Sequence, residues 1–228
     1  DFELDDRFLT DGDDSGAIAF ERFTPMVGLL WRARPALNLY ANVSTAFETP
    51  TLNQLENPAG PGFNPAVDAQ TAVNYEIGAK GVAGERVRYQ LAAFAIDLEE
   101  ELVPFEQDGD TFYRNAGESS RNGLEATAEI DLPAHLRAVV TGTWNDFTYD
   151  RYEVSGTRYD GNELPGLPDV TLYAELAWRH PAGWFAVWDV LHVGEFFADD
   201  ANSGPARVDA YEVSTLRAGG TFRAGALT

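Results

Sequence analysis

Strict alternation of apolar and polar side chains runs through most of this chain, and it restricts the fold more than any other feature. In LNLYANVSTAF (37–47) one set is Leu37, Leu39, Ala41, Val43, Thr45 and Phe47; the other is Asn38, Tyr40, Asn42, Ser44 and Ala46. In GLEATAEIDL (123–132), Leu124, Ala126, Ala128, Ile130 and Leu132 alternate with Glu125, Thr127, Glu129 and Asp131. In VTLYAELAWR (170–179), Val170, Leu172, Ala174, Leu176 and Trp178 alternate with Thr171, Tyr173, Glu175, Ala177 and Arg179. Successive side chains of a β-strand point to opposite faces, so each segment reads as a strand with one apolar and one polar face. No comparable stretch has helical apolar spacing, so helices are expected to be minor. In WFAVWDVLHVGEFF (184–197) Asp189 and His192 fall on opposite sets, and the pattern does not say which face is apolar.

The connections come in two sizes. Short ones lie at 33–36, 83–86, 133–135, 181–183 and 223–226, and long ones at 5–16, 48–72, 104–110, 152–167 and 198–208. The long ones are rich in Gly, Pro, Asn and Asp, as loops are. Short and long alternate along the chain, except at YRNAGESSRNGLEATAEIDLP (113–133), where Gly117, two serines and Gly123 interrupt the first half. A hairpin turn at Glu118–Arg121 would move every later loop to the other end of a meander. A single strand over 111–132 keeps all short turns at one end and all long loops at the other. The single strand is therefore expected, with Gly117 and Gly123 as bulges or kinks. Nine traverses follow, at 17–32, 37–48, 73–82, 87–103, 111–132, 136–151, 168–180, 184–197 and 209–222.

Long loops at one end and short turns at the other describe an outer-membrane β-barrel, with turns in the periplasm and loops outside. Basic residues gather near the short turns (Arg32, Arg34, Lys80, Arg86, Arg88, Arg137, Arg179, Arg223), whereas acids crowd the loops, as in LDDRFLTDGDDSG (4–16). Both charge sets would also suit an ordinary solvated surface. Trp31, Phe47, Trp144, Trp178 and Trp184 sit near strand ends, where a barrel places its aromatic girdles; in a soluble sandwich they would be core. Strands of 10–20 residues exceed those of a typical sandwich, and Asn, Tyr, Glu and Thr at mid-strand suit a wet lumen.

Composition removes several functions. With 37 acidic against 16 basic residues and a net charge of −21, a general nucleic-acid face is excluded. There is no cysteine, hence no disulfide and no thiolate metal site. His135, His180 and His192 lie far apart, and no metal site or cofactor is expected. Catalytic signatures such as G-x-S-x-G, H-E-x-x-H and the P-loop are absent, so the chain reads as no enzyme. DGDD (11–14) and DGD (108–110) lack EF-hand spacing.

Several segments, in order, resemble TonB-dependent outer-membrane receptors. LYANVSTAFETPTLNQL (39–55) is similar to their strand-to-loop signature, and NYEIGAKG (74–81) to the strand that follows. FYRNAGESSRNGLEATAEI (112–130) resembles their Tyr–Asn-Ala-Gly strand with its Gly-x-Glu element, and GNELPGLPDVTLYAEL (161–176) their proline-containing loop and the start of the next strand. DDRFLTDGDDSG (5–16) and FTPMVGLLWR (23–32) also fit. The resemblance implies an all-β, antiparallel, up-and-down transmembrane barrel of about 22 strands closed by an N-terminal plug. Residues 1–228 would be the C-terminal part of that barrel, with the plug and the last strands absent. Nine strands with two unpaired edges agree with a partial barrel, because a bilayer tolerates no open edge.

The function implied is TonB-energised uptake of a ferric siderophore or similar scarce nutrient, in the outer membrane of a Gram-negative bacterium. The implied partners are membrane lipid, the plug, the TonB complex acting through it, and the small ligand. Candidate ligand contacts are Phe63, Phe105, Phe112, Tyr113, Arg114, Tyr149, Tyr152, Arg158 and Phe196, all in or beside long loops. Each would otherwise pack loop against loop. Tyr40, Asn42, Glu125 and Glu129 are candidates for the lumen or plug-facing surface. An anionic ferric complex would require loop arginines such as Arg114, Arg121, Arg158 and Arg207 to gather at one site. The rival readings are a smaller porin-like barrel and a soluble carbohydrate-binding β-protein.

Overall fold

A computed structural model describes residues 2–4, 7–8, 12–13 and 16–221. Nine antiparallel strands form one sheet: β1 Met26–Arg34, β2 Leu37–Glu48, β3 Gln70–Ala83, β4 Val87–Gln107, β5 Asp110–Leu132, β6 Leu136–Arg151, β7 Val170–Arg179, β8 Trp184–Val193 and β9 Tyr211–Gly220. Their order in the sheet is their order in the chain, so each strand pairs with its sequence neighbours and the topology is a plain meander. Helical structure among the described residues is two short 3₁₀ turns, Leu52–Leu55 and Gly204–Ala206.

Residues 110–132 form one strand of 23 residues, with no turn at Glu118–Arg121. The tight turns after β1, β3, β5 and β7 therefore share one end of the sheet. The connections 49–69, 152–169 and 194–210 share the other, together with the β4–β5 turn. The expected turn at 223–226 and most of the loop 5–16 lie outside the described residues.

Four expectations change. The segment 104–110 is no long loop: β4 and β5 pair up to Gln107 and Asp110, and only Asp108 and Gly109 turn the chain. Both have positive φ, 55° and 97°, the backbone that a two-residue hairpin of matching twist demands. The first sheet strand begins at Met26, because Gly16–Ile18 pairs instead with Phe2–Leu4 in a separate two-stranded ladder. The eighth strand ends at Val193, and Phe196–Phe197 pairs separately with Arg207–Val208. Gly123 is no bulge; it keeps register opposite Phe94 and Asn145, and the Phe94 ring occupies the space its side chain would fill. The irregularity lies at Gly117, opposite Glu101, where β4 shifts register across Glu99 and Glu100.

Register carries one face across the sheet. Trp31 lies opposite Leu39, Leu39 opposite Ala79, Ala79 opposite Leu91, Leu91 opposite Ala126, Ala126 opposite Gly142, and Gly142 opposite Leu172. Leu176 lies opposite Trp188, which assigns Trp184, Ala186, Trp188 and Val190 to this apolar face and Asp189 to the other. The apolar face is open: Leu124 is 52% exposed and Leu216 73%. All five aromatics anticipated as girdles stand on it, Phe47 and Trp144 toward the loop end and Trp31, Trp178 and Trp184 toward the turn end.

The opposite face is polar and internally paired. Arg217 bridges Asp189 at 2.9 Å and Glu175 at 3.7 Å. Arg88 reaches both Glu129 and Asp131 at 3.1 Å, and Arg137 also pairs with Glu129. The Tyr40 ring packs over Gly78 with Lys80 Nζ 5.6 Å from its centre. Toward the turn end only small or short apolar side chains, such as Ala92, Ala177 and Val187, are buried on this face.

Candidate functional site

Among the described residues, the largest fully buried side chains lie at the loop end. Beyond Leu124 on β5 and Trp144 on β6 the alternation loses its apolar member: the same face continues with Asn122, Ser120 and Glu118, and with Asp146, Thr148 and Asp150. The connecting segments fold onto these extensions. Leu55, Val67 and Ala69 from the connection 49–69 are buried with Val103 and Phe112 of the β4–β5 hairpin. Asn115 ties that connection down: its Nδ2 donates to the Asp68 and Glu100 carbonyls at 2.9 and 2.7 Å, and its Oδ1 accepts from the Asp68 amide at 2.7 Å.

The other two connections meet over β6. Gly161 N–H donates to the Tyr149 carbonyl at 2.7 Å and Leu164 N–H to that of Phe147 at 3.0 Å. Asn202 and Glu163 exchange side-chain and backbone hydrogen bonds, which locks 194–210 onto 152–169. The Tyr149 hydroxyl donates to Asp200 at 2.7 Å, across 51 positions of sequence.

Between these layers lies a pocket of about 280 Å³ lined by Gln70, Glu101, Leu102, Arg121, Tyr149, Tyr152, Leu164, Pro165 and Leu167. Tyr149 and Tyr152 stack at 4.2 Å with an interplanar angle of 11°. Arg121 Nη2 donates to Glu101 Oε1 at 3.2 Å. That single contact leaves Glu101 Oε2 and Arg121 Nε buried with no hydrogen-bond partner. The fully buried Ser119 stands close enough to Glu101 to favour its ionised form, yet its hydroxyl makes no hydrogen bond of good geometry. Burial pushes the Glu101 carboxyl above its ordinary range, and Ser119 and Arg121 offset only part of this. Burial, with help from Asp200, pushes the Tyr149 hydroxyl well up; the Tyr152 hydroxyl is pushed to about 12, chiefly by burial. Both therefore remain protonated donors at any physiological pH.

The structure brings together Tyr149 and Tyr152 from the sequence candidates and adds Arg121 from among the named arginines. Phe105, Phe112 and Arg114 form a second group at the tip of the β4–β5 hairpin. The two rings are 6.0 Å apart, and the Arg114 guanidinium lies 5.8 Å from the Phe105 centroid. Tyr113 lies beside them, half-buried, opposite Pro104. Phe63 is half-buried within its own connection, bridged to Glu56. Arg158 pairs with Asp160 at 2.6 Å on the surface, and Phe196 belongs to the small ladder with Val208. On the polar face, Asn42 reaches Glu76 at 3.4 Å, Glu129 is held by two arginines, and Glu125 stands opposite Ala92 and Thr143. Glu101, Gln70 and Asp200 were not anticipated. The only sequence sign of Glu101 was the run DLEEEL (97–102), where alternation stops.

The family profile described as TonB dependent receptor-like, β-barrel, matches residues 2–226. The chain belongs to this family. TonB-dependent receptors are outer-membrane proteins and not enzymes, which removes the soluble carbohydrate-binding reading. The iron-regulated outer membrane virulence protein of Vibrio cholerae is 24% identical over 177 residues, covering 69% of this chain and 26% of that protein. The metal-pseudopaline receptor of Pseudomonas aeruginosa is 28% identical over 186 residues, covering 79% of this chain and 25% of that receptor. The chain thus spans about a quarter of the curated relatives it matches. In structure it is similar to the siderophore receptor PiuA of Acinetobacter baumannii, with a TM-score of 0.73 at 16% identity, covering 92% of this chain and 31% of that one. The fold is that of a TonB-dependent barrel, of which these nine strands form one sector.

Proposed function

We propose that this chain is a sector of a receptor that takes up a ferric siderophore or a comparable metal chelate, with energy delivered through TonB to an N-terminal plug. The apolar face meets outer-membrane lipid, and the polar face turns toward the lumen and the plug. The observation that carries the reading is the division of the sheet at Leu124 and Trp144. Below that level one face is open and apolar from β1 to β9, apart from the His192–Glu212 pair near the loop ends of β8 and β9. Above it the loops build a layer enclosing a tyrosine-lined pocket on the lumen side. A bilayer demands the first, and capture of a solute outside the membrane requires the second. The relatives support the class of cargo, since one is named for its iron regulation and another for a metal chelate.

Within this reading, Tyr149 and Tyr152 contact the ligand, and the hairpin tip carrying Phe105, Phe112, Tyr113 and Arg114 is a first encounter surface. Phe63, Arg158 and Phe196 serve the packing of their own loops. Tyr40, Asn42, Glu125 and Glu129 face the plug.

The test is to delete the intact receptor gene in its host and measure growth and ⁵⁵Fe uptake under iron limitation. Lower uptake from at least one ferric chelate, restored by the wild-type gene but not by one lacking the plug, is expected. Unchanged uptake of every chelate offered would overturn the proposal.

A further inference from the structure

The charges around the pocket indicate what kind of ligand it takes, given the uptake reading above, on which this inference rests. An anionic ferric complex needs arginines free to pair with it. Here each arginine near the pocket already holds a carboxylate: Arg121 holds Glu101, Arg151 holds Glu118, and Arg158 holds Asp160. Farther along the rim, Arg207 holds Glu195 and Arg22 holds Asp68. Arg114 lies over the Phe105 ring at the hairpin tip and does not line the pocket. In contrast, two carboxylates on the connection over the pocket are held by hydroxyls that leave their charge uncancelled: Asp199 by Ser203 and Asp200 by Tyr149. The field at the mouth of the pocket is therefore negative.

Inside the pocket the Glu101–Arg121 pair is half-made. One Oε1 contact at 3.2 Å leaves Oε2 and Nε without partners. A buried acceptor left unmet is costly, and an incoming N–H donor would remove that cost. The terminal torsion of a glutamate is broad, so a small turn presents Oε2 to the cavity that Glu101 lines. The stacked Tyr149 and Tyr152 faces beside it attract a cation as well.

We propose that this pocket receives a cationic hydrogen-bond donor of the ligand, an ammonium in the simplest case, with Glu101 as its acceptor, and that this sector of the receptor disfavours polyanionic chelates.

The test uses the intact, detergent-purified receptor and two probes: a ferric trihydroxamate carrying a free ammonium group and a ferric tris-catecholate carrying three negative charges. Binding is measured by tryptophan fluorescence at low and physiological salt. The cationic probe is expected to bind about tenfold or more tighter than the anionic one, and to weaken as salt rises. Glu101→Gln should weaken the cationic probe about tenfold, whereas Arg121→Gln, which frees the carboxylate, should strengthen it. Damage to the fold would weaken both, so the opposite signs identify a direct role. Equal or tighter binding of the tris-catecholate by wild type overturns the charge inference and leaves the uptake reading standing. If neither probe binds and the deletion strain takes up every chelate normally, the uptake reading falls and this inference with it.

Discussion

The two ends of β5 follow opposite burial rules. From Asp110 to Asn122 the strand behaves as in a water-soluble protein. Phe112 and Ser119 are buried, the neighbouring Val103 and Leu55 are 0% exposed, and the charged Asp110 and Arg114 lie outside. From Leu124 to Leu132 the rule inverts, with leucines on the open face and Glu125, Thr127, Glu129 and Asp131 on the other. One backbone crosses from one regime to the other at Gly123, where it stays in register with Phe94 on one side and Asn145 on the other. What changes is the medium. In water, apolar area is driven inward at about 25 cal/mol per Å². In a bilayer the open face is already in an apolar solvent, and polar groups must find partners inside.

The strongest attempt to break this comparison places a charge on each side of the boundary. Ala128→Arg, midway along the apolar stretch of β5, should destabilise the intact barrel by about 2–4 kcal/mol in a lipid-bilayer folding titration. Ser120→Arg, eight residues away on the same face and above the boundary, should stay within about 0.5 kcal/mol. Equal costs would mean that the apolar face does not meet lipid. Next in size, Leu55→Ala removes a fully buried side chain from the soluble layer. It should cost about 2–3 kcal/mol, seen as faster amide exchange across 49–69 while the strands below keep their protection.

At the boundary itself, Gly123→Ala would drive a methyl group into the Phe94 ring and within 2.9 Å of the Trp144 carbonyl. A loss of about 1–2 kcal/mol is expected, and Phe94→Leu in the same chain should recover part of it. The smallest effect concerns Glu101. Its carboxyl titrates above the ordinary 4.5, so its contribution to the loop layer is fully present below that value and is lost as pH rises through the elevated one. Asp160 and Asp199 are held below their ordinary range and act in the opposite sense, contributing above 3.8 and losing that contribution as pH falls. Comparison with Glu101→Gln isolates the first effect. Amide exchange in 98–104 should slow in wild type relative to the variant as pH is lowered toward 4.5.

The strands inside the apolar band were legible because the period of two needs only local information. The parity of the connections also resolved 110–132 as one strand. The reading weakened above the band for a physical reason. There both faces of β4 and β5 are covered by loops or exposed to water, so alternation no longer distinguishes them. EQDGD (106–110) then looked like loop, although Asp-Gly is the usual two-residue hairpin turn. Tyr149 and Tyr152 were visible as loop aromatics three residues apart. Their partners were not, because Gln70, Glu101 and Asp200 come from three different connections or strands and carry no motif.

Alternation, loop parity and the absence of long apolar helices were enough to specify a strand meander with one apolar face, because side-chain direction in a strand follows from position alone. Other features waited on the tertiary structure. The face of β8 required its register with β7, since Asp189 and His192 contradicted each other until Leu176 was seen opposite Trp188. Arginine availability required the ion pairs, because a guanidinium in a loop is equally basic whether or not a carboxylate already holds it. The pocket exists because hydrogen bonds such as Tyr149 to Asp200 join positions 51 residues apart, and such closure is set by the folded path of the chain rather than by any local pattern.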